Sequence, residues 1–224
     1  MLLLYTVLLY ATTVLISGCE PNSIADPFFS TELGATSLYK LERHTTDGME
    51  ETRHGWTNLI IQKSNSNISI DRRNLNNHQE TYKISNNGVF LADKSRDKFL
   101  MPRNLQKNDT WQTSVNATAL QTSQPPWEKT LRPLIIVPMV NRVLSVNEDI
   151  WVANNLYKDC VLVESVGNAE IALASFIGNI KVTISSKTWF ARNIGIVKQE
   201  TRELTDSDII KSGNATLTLL SYSK

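Results

Sequence analysis

Apolar and polar residues alternate with a period of two over most of this chain, the pattern of strands with one buried face. Ile180, Val182 and Ile184 alternate with Lys181, Thr183 and Ser185, and Ile68 and Ile70 alternate with Ser69 and Asp71. Turn dipeptides separate such runs: Asp47-Gly48 lies between Tyr39–Arg43 and Trp56–Ile61, and Asn87-Gly88 between Tyr82–Ile84 and Val89–Leu91. These dipeptides tolerate the positive φ that tight hairpins demand, so antiparallel meanders are predicted. Further strands are expected at Trp111–Val115, Leu134–Val137, Arg142–Val146, Trp151–Ala153, Cys160–Val166, Thr188–Ala191, Ile196–Arg202 and Thr216–Tyr222. Helical patterning is confined to Asp206–Ser212, with Thr205 as cap and Gly213 as stop. With so little helix to cover a sheet, the chain reads as all-β and mainly antiparallel: a curved sheet, sandwich or half-barrel with at most one or two short helices. No repeat recurs at a fixed spacing, which argues against a propeller or solenoid.

The start of the chain breaks this pattern. Leu2 to Ile16 is almost wholly apolar, short for a bilayer span, and ends in Ile16-Ser17-Gly18-Cys19. This resembles the bacterial lipobox: an aliphatic residue, two small residues and a cysteine. The resemblance implies that the Cys19 thiol carries a diacylglyceryl group and that cleavage falls between Gly18 and Cys19. It also implies that Glu20, standing where an Asp would hold the protein at the inner membrane, directs it to the outer membrane. No Lys or Arg precedes the apolar run, an element that signal peptides normally carry. Residues 1–18 then form the signal peptide, 19–36 the lipidated N-terminus and a flexible tether with Pro21 and Pro27, and 37–224 a single β-rich domain.

Composition narrows the function. A net charge of +1, from 23 Lys and Arg against 22 Asp and Glu, gives no field to attract nucleic acid. Of two cysteines, Cys19 is assigned to lipid, and Cys160 sits in Asp159-Cys160-Val161-Leu162-Val163, which reads as the interior of a packed strand.

A second resemblance covers roughly residues 99–200. Trp189-Phe190-Ala191-Arg192-Asn193-Ile194-Gly195-Ile196-Val197-Lys198, Pro102 and Leu105 with Asn108-Asp109-Thr110-Trp111, and Tyr157-Lys158-Asp159-Cys160 resemble segments of β-rich bacterial envelope lipoproteins of unassigned function. Arg192-Asn193 stands where those relatives carry Pro or Lys with Gly. The resemblance implies a β-rich lipoprotein domain and transfers no catalytic residue. If Trp189 and Phe190 lie on one strand they face opposite ways, so at most one is expected in the core.

Candidate chemistry is sparse. His44 and His54 flank the Asp47-Gly48 turn and could approach across the strands, but with His78 they form no metal-binding spacing and read as surface residues. No nucleophile elbow, phosphate loop or dinucleotide fingerprint is present, so no cofactor or metal is expected. The five tryptophans read mainly as core residues, with Trp127, beside Pro125-Pro126, the one placed for an interaction surface. The leading expectation is a non-catalytic, lipid-anchored β domain that binds or scaffolds another envelope component at the outer membrane, facing the periplasm. The alternatives are a periplasmic carrier with a lipid in a curved-sheet cavity, and a hydrolase without a recognisable motif. Oligomeric state is left open.

Overall fold

A computed structural model describes residue 28 and residues 34–48, 50–64, 67–73, 79–94, 96–120, 134–172 and 178–223. They form twelve strands: β1 (Thr36–Thr45), β2 (Glu50–Ser64), β3 (Asn67–Arg73), β4 (Gln79–Ser85), β5 (Gly88–Leu91), β6 (Lys98–Met101), β7 (Thr110–Asn116), β8 (Ile136–Val152), β9 (Asn155–Ala172), β10 (Asn179–Ala191), β11 (Gly195–Thr205) and β12 (Gly213–Ser223). All belong to one sheet in the order β6-β5-β4-β3-β2-β1-β12-β11-β10-β9-β8-β7. Every pairing is antiparallel. The chain meanders outward to β6, crosses to the far edge at β7 and meanders back until β12 pairs with β1. The expected fold class is thus observed: an all-β, open curved sheet and not a closed barrel.

Local chemistry explains the turns. Gly48, at φ +87°, donates its N–H to the Thr45 carbonyl at 3.1 Å, closing the β1–β2 hairpin as expected. At β4–β5 the turn residues are Asn86 and Asn87, while Gly88 already pairs with Ser85. Gly88 is required for close approach: a Cβ there would lie 2.5 Å from the Met101 carbonyl oxygen of β6. The β8–β9 turn has no glycine, yet Ala153 and Asn154 both take positive φ, 47° and 68°, the pattern of a type I′ turn.

Two expectations need correction. The runs Leu134–Val137, Arg142–Val146 and Trp151–Ala153 are not separate strands, because β8 continues through all three with register shifts after Val143, Ser145 and Glu148. Bulges let one strand bend where its apolar pattern is interrupted. The helix at Asp206–Ser212 is absent. Instead the Thr205 hydroxyl accepts the Ser207 N–H and the Ser207 hydroxyl accepts those of Ile209 and Ile210, a local competition that turns the chain and buries Ile210. Trp189 and Phe190 pack on different clusters and are each only partly buried, so neither joins the fully buried core, in keeping with the expectation of at most one. Phe190 packs against a cluster of Val143, Val161 and Met101, and Trp189 against one containing Cys160, Val197 and Leu219. A register shift separates the two, and four consecutive buried residues, Cys160 to Val163, mean that both faces of β9 are covered there.

Opposed residues in a sheet share a face, so the register divides the inner face into zones. Toward one end lie Ala117, Leu120, Ile135, Val137, Met139, Ile180, Val182, Ile184 and Ile210. Toward the other lie Phe28, Ile84, Val89, Met101, Val143, Val161 and Val163, drawing β4–β6 and β8–β9 into one cluster although they occupy opposite halves of the sheet order. The sheet is therefore curled far enough for its two edge strands to touch without pairing, through Trp111, whose indole N–H donates to the Leu100 carbonyl of β6 at 2.8 Å.

Candidate functional site

Cys19, Gly18, Glu20, Trp127 and His78 all lie outside the described residues. Cys160 is fully buried and unpaired by disulfide, as its strand setting implies. Burial pushes its thiol up to about 11, with Asp149, Asp159 and Glu148 adding to the effect. His44 faces Glu50 at 3.4 Å, whereas His54 sits opposite Lys40, so the two histidines do not meet. Trp111 and Trp189 are half-buried, but Trp151 is 69% exposed, against the expected core role. The Leu105 and Asn108–Trp111 segment proves architectural. Asn108 takes φ +73° and Asp109 accepts the Gln106 N–H with its carboxylate, while Asn108 N–H and Asp109 C=O pair with Val143 and so aim Trp111 at β6.

Between the apolar zones of the inner face runs a polar belt. Asn141 on β8 donates its amide to the Trp111 carbonyl and the Thr113 hydroxyl at 3.1 and 2.9 Å, and accepts from Ser165 on β9 at 2.6 Å. Ser186 and Thr201 bond at 3.1 Å, Gln199 donates to Thr188 at 3.1 Å, and Arg43 donates to Glu51 at 3.2 Å. Buried polar groups are tolerated when bonded in this way. One row further on, Glu203 is 1% exposed between Ile184 and Gly213. Its carboxylate accepts the N–H groups of Thr118 at 2.8 and 3.0 Å, Ala119 at 2.8 Å and Leu120 at 3.0 Å, with the Thr118 hydroxyl at 3.3 Å. The sequence did not single out Glu203, because Thr201-Arg202-Glu203 is polar at every position and period two cannot say which face points inward.

The outer face differs. Gln112, Val140, Val166, Ser185, Arg202 and Asn214 stand opposite one another in a single row across β7–β12. On β8 the outward positions Ile136, Pro138 and Val140 are all exposed, the first by 57% and the last by 53%, and Val166 on β9 is 44% exposed. They border a shallow depression of about 260 Å³ lined by Gln112, Pro138, Val140, Val166 and Asn168, with no charged residue. A second depression of about 420 Å³ follows on β9–β12, walled by Glu164, Lys187, Glu200 and Arg202. A third, of about 640 Å³, lies on β4–β6 between Phe90, Phe99, Arg96 and the Lys83–Asp97 ion pair, which holds the Asp97 carboxyl below its usual range. Among the described residues no group of three or more His, Cys, Asp or Glu is placed to hold a metal ion.

These features define an all-β protein built on one open, curled antiparallel sheet with an apolar-to-charged outer face. The chain belongs to the DUF3108-like family, whose profile matches residues 50–207. No curated protein sequence matches it. Among solved structures it is similar to a protein from Bacteroides fragilis described as exported and of YmcC-like fold, at 10% identity and TM-score 0.48, covering 89% of this chain and 100% of that one. It is also similar to a protein from Parabacteroides distasonis described as a lipoprotein, at 11% identity and TM-score 0.46, covering 89% and 99%. A LolA superfamily protein from Nitrosomonas europaea follows at 9% identity and TM-score 0.22, covering 90% and 89%.

Proposed function

We propose that this chain is a lipid-anchored protein of the bacterial envelope, tethered through Cys19 to the outer membrane, whose β domain is a non-catalytic module binding another envelope protein. The observation that carries the reading is the outer face of β7–β9. Ile136, Pro138, Val140 and Val166 form an exposed, uncharged patch beside β7, an edge strand whose sequence Thr110–Asn116 contains no charge. Exposed apolar surface rimmed by polar residues marks interaction sites, and an uncharged edge accepts a further strand. The inner face favours a module over a carrier, since its described residues include two packed clusters and a hydrogen-bonded polar belt, whereas a carrier needs a large apolar cavity.

A photo-crosslinking residue at Val140 in the native envelope should recover one dominant protein partner, and the same probe at Phe90 on the far half of the sheet should not. Recovery of no partner from Val140, or the same products from both positions, overturns the assignment. Cys19→Ser should abolish lipid labelling and release the protein from the membrane. Retention after that change would identify an uncleaved helix as the anchor.

A further inference from the structure

Residues 117–120 follow β7 but join no ladder. Among the described residues, apart from the Ala117 N–H, which donates to the Ile135 carbonyl at 2.8 Å, the polar attachment of this segment converges on one side chain, Glu203, which takes three successive backbone N–H groups. Ala119 and Leu120 are each 1% exposed, and Leu120 and Ala117 cap the apolar cluster of Val137, Met139, Ile180, Val182 and Ile184. The segment lies directly on β12, where a Cβ on Gly213 would fall 2.7 Å from the Ala119 carbonyl oxygen and 3.2 Å from its Cβ. A buried carboxylate is a demanding way to hold a loop, because it must be fully bonded to be tolerated, and such groups are best attested where they specify one arrangement over another.

We propose that residues 117–120 are a strap latched by Glu203, which opens as a unit while the sheet stays folded and uncovers the apolar inner face beneath it. The ladder bonds of β8–β12 do not pass through the strap, so releasing it breaks none of them. Opening returns the Glu203 carboxylate and three amides to water together, which makes the event two-state. Glu203 is a positioning residue in this device: a Gln there presents a donor where the strap needs an acceptor.

The test uses the full chain. In Glu203→Gln, amide exchange at Thr118, Ala119 and Leu120 should accelerate about tenfold or more, with exchange in β9 and β10 unchanged. Peroxide oxidation of Met139, in the cluster that the strap caps, should rise by a similar factor while Met101, in the opposite cluster, does not change. Gly213→Ala should accelerate strap exchange in the same direction and, because its Cβ would also fall 2.9 Å from the His44 carbonyl oxygen of β1, should loosen the β1–β12 pairing as well, so amides of β9 and β10 serve as its reference. Unchanged exchange, or strap and sheet amides accelerating together with both methionines, overturns the proposal. If neither variant folds, the wild-type chain decides: strap amides should exchange with a weaker urea dependence than β10 amides, and an equal dependence overturns it.

Discussion

The two edges of this sheet are built to opposite specifications. β6 is four residues long, begins at Lys98 and follows Asp93, Lys94, Arg96 and Asp97, with Lys98 paired to Asp93 at 3.0 Å and Lys83 to Asp97 at 2.8 Å. A register shift interrupts its pairing with β5, and the Leu100 carbonyl is taken by Trp111. Short length, charge and a bulge are the devices that keep an edge from recruiting another strand. β7 has seven residues, no charge and no bulge against β8. One sheet thus carries an edge guarded by length, charge and a bulge and another covered only where Trp111 reaches β6, and the exposed apolar patch lies beside the second.

The largest predicted effect comes from separating the edges. Trp111→Ala removes both the indole bond to Leu100 and packing against the Val143 and Met101 cluster, and should cost about 3–5 kcal/mol in urea unfolding. Trp111→Phe, keeping most of the packing, should cost about 1 kcal/mol. Near-equal losses would mean that the bond, not the packing, joins the edges. Gly167→Ala comes next. Its Cβ would lie 2.1 Å from the Pro138 carbonyl oxygen, forcing β8 from β9 beneath the patch, at about 1–3 kcal/mol and with weaker crosslinking from Val140. Stability that falls with crosslinking intact would uncouple patch from strand spacing.

A smaller effect follows from Cys160. Its folded thiol titrates near 11, above its ordinary 9.0, so between these values the unfolded chain has lost a proton that the folded chain retains. This contribution to stability is complete below the lower value and declines as pH rises toward the upper one. The gap in urea midpoint between wild type and Cys160→Ala should therefore narrow from pH 8 to pH 10.5, to within about the pKa shift's own effect. A constant gap would place the thiol in water. The smallest effect on stability bears most directly on the edges: Ser114→Lys, outward on β7, should change stability by less than about 0.5 kcal/mol yet suppress crosslinking from Val140. Removing the guard by Lys98→Thr on β6 should leave that crosslinking unaltered.

Much of this fold was legible locally. Period two located eleven of the twelve strands in whole or in part, and Asp47-Gly48 marked its hairpin. β6 escaped because Lys98–Met101 is too short to display alternation, and the Ala153-Asn154 turn because it lacks the glycine that usually signals positive φ. The candidate surface was not legible. Ile136 and Val140 read like Val137 and Met139, yet the former face outward and the latter are buried, since an apolar run on one strand does not reveal which side the sheet curls toward.

What the sequence determined by itself was whatever depends on neighbours along the chain: an all-β fold, its turns and the burial of Cys160, while the apolar run ahead of Cys19 carries the proposed envelope role. Tertiary structure alone decided the strand order, the fusion of three apolar runs into β8, the meeting of distant edges at Trp111 and the hold of Glu203 on residues 118–120. The physical reason is that a strand's pattern records that one face is covered, while the residue covering it is supplied from elsewhere: Glu203 meets its partners 83 to 85 positions away, across the sheet.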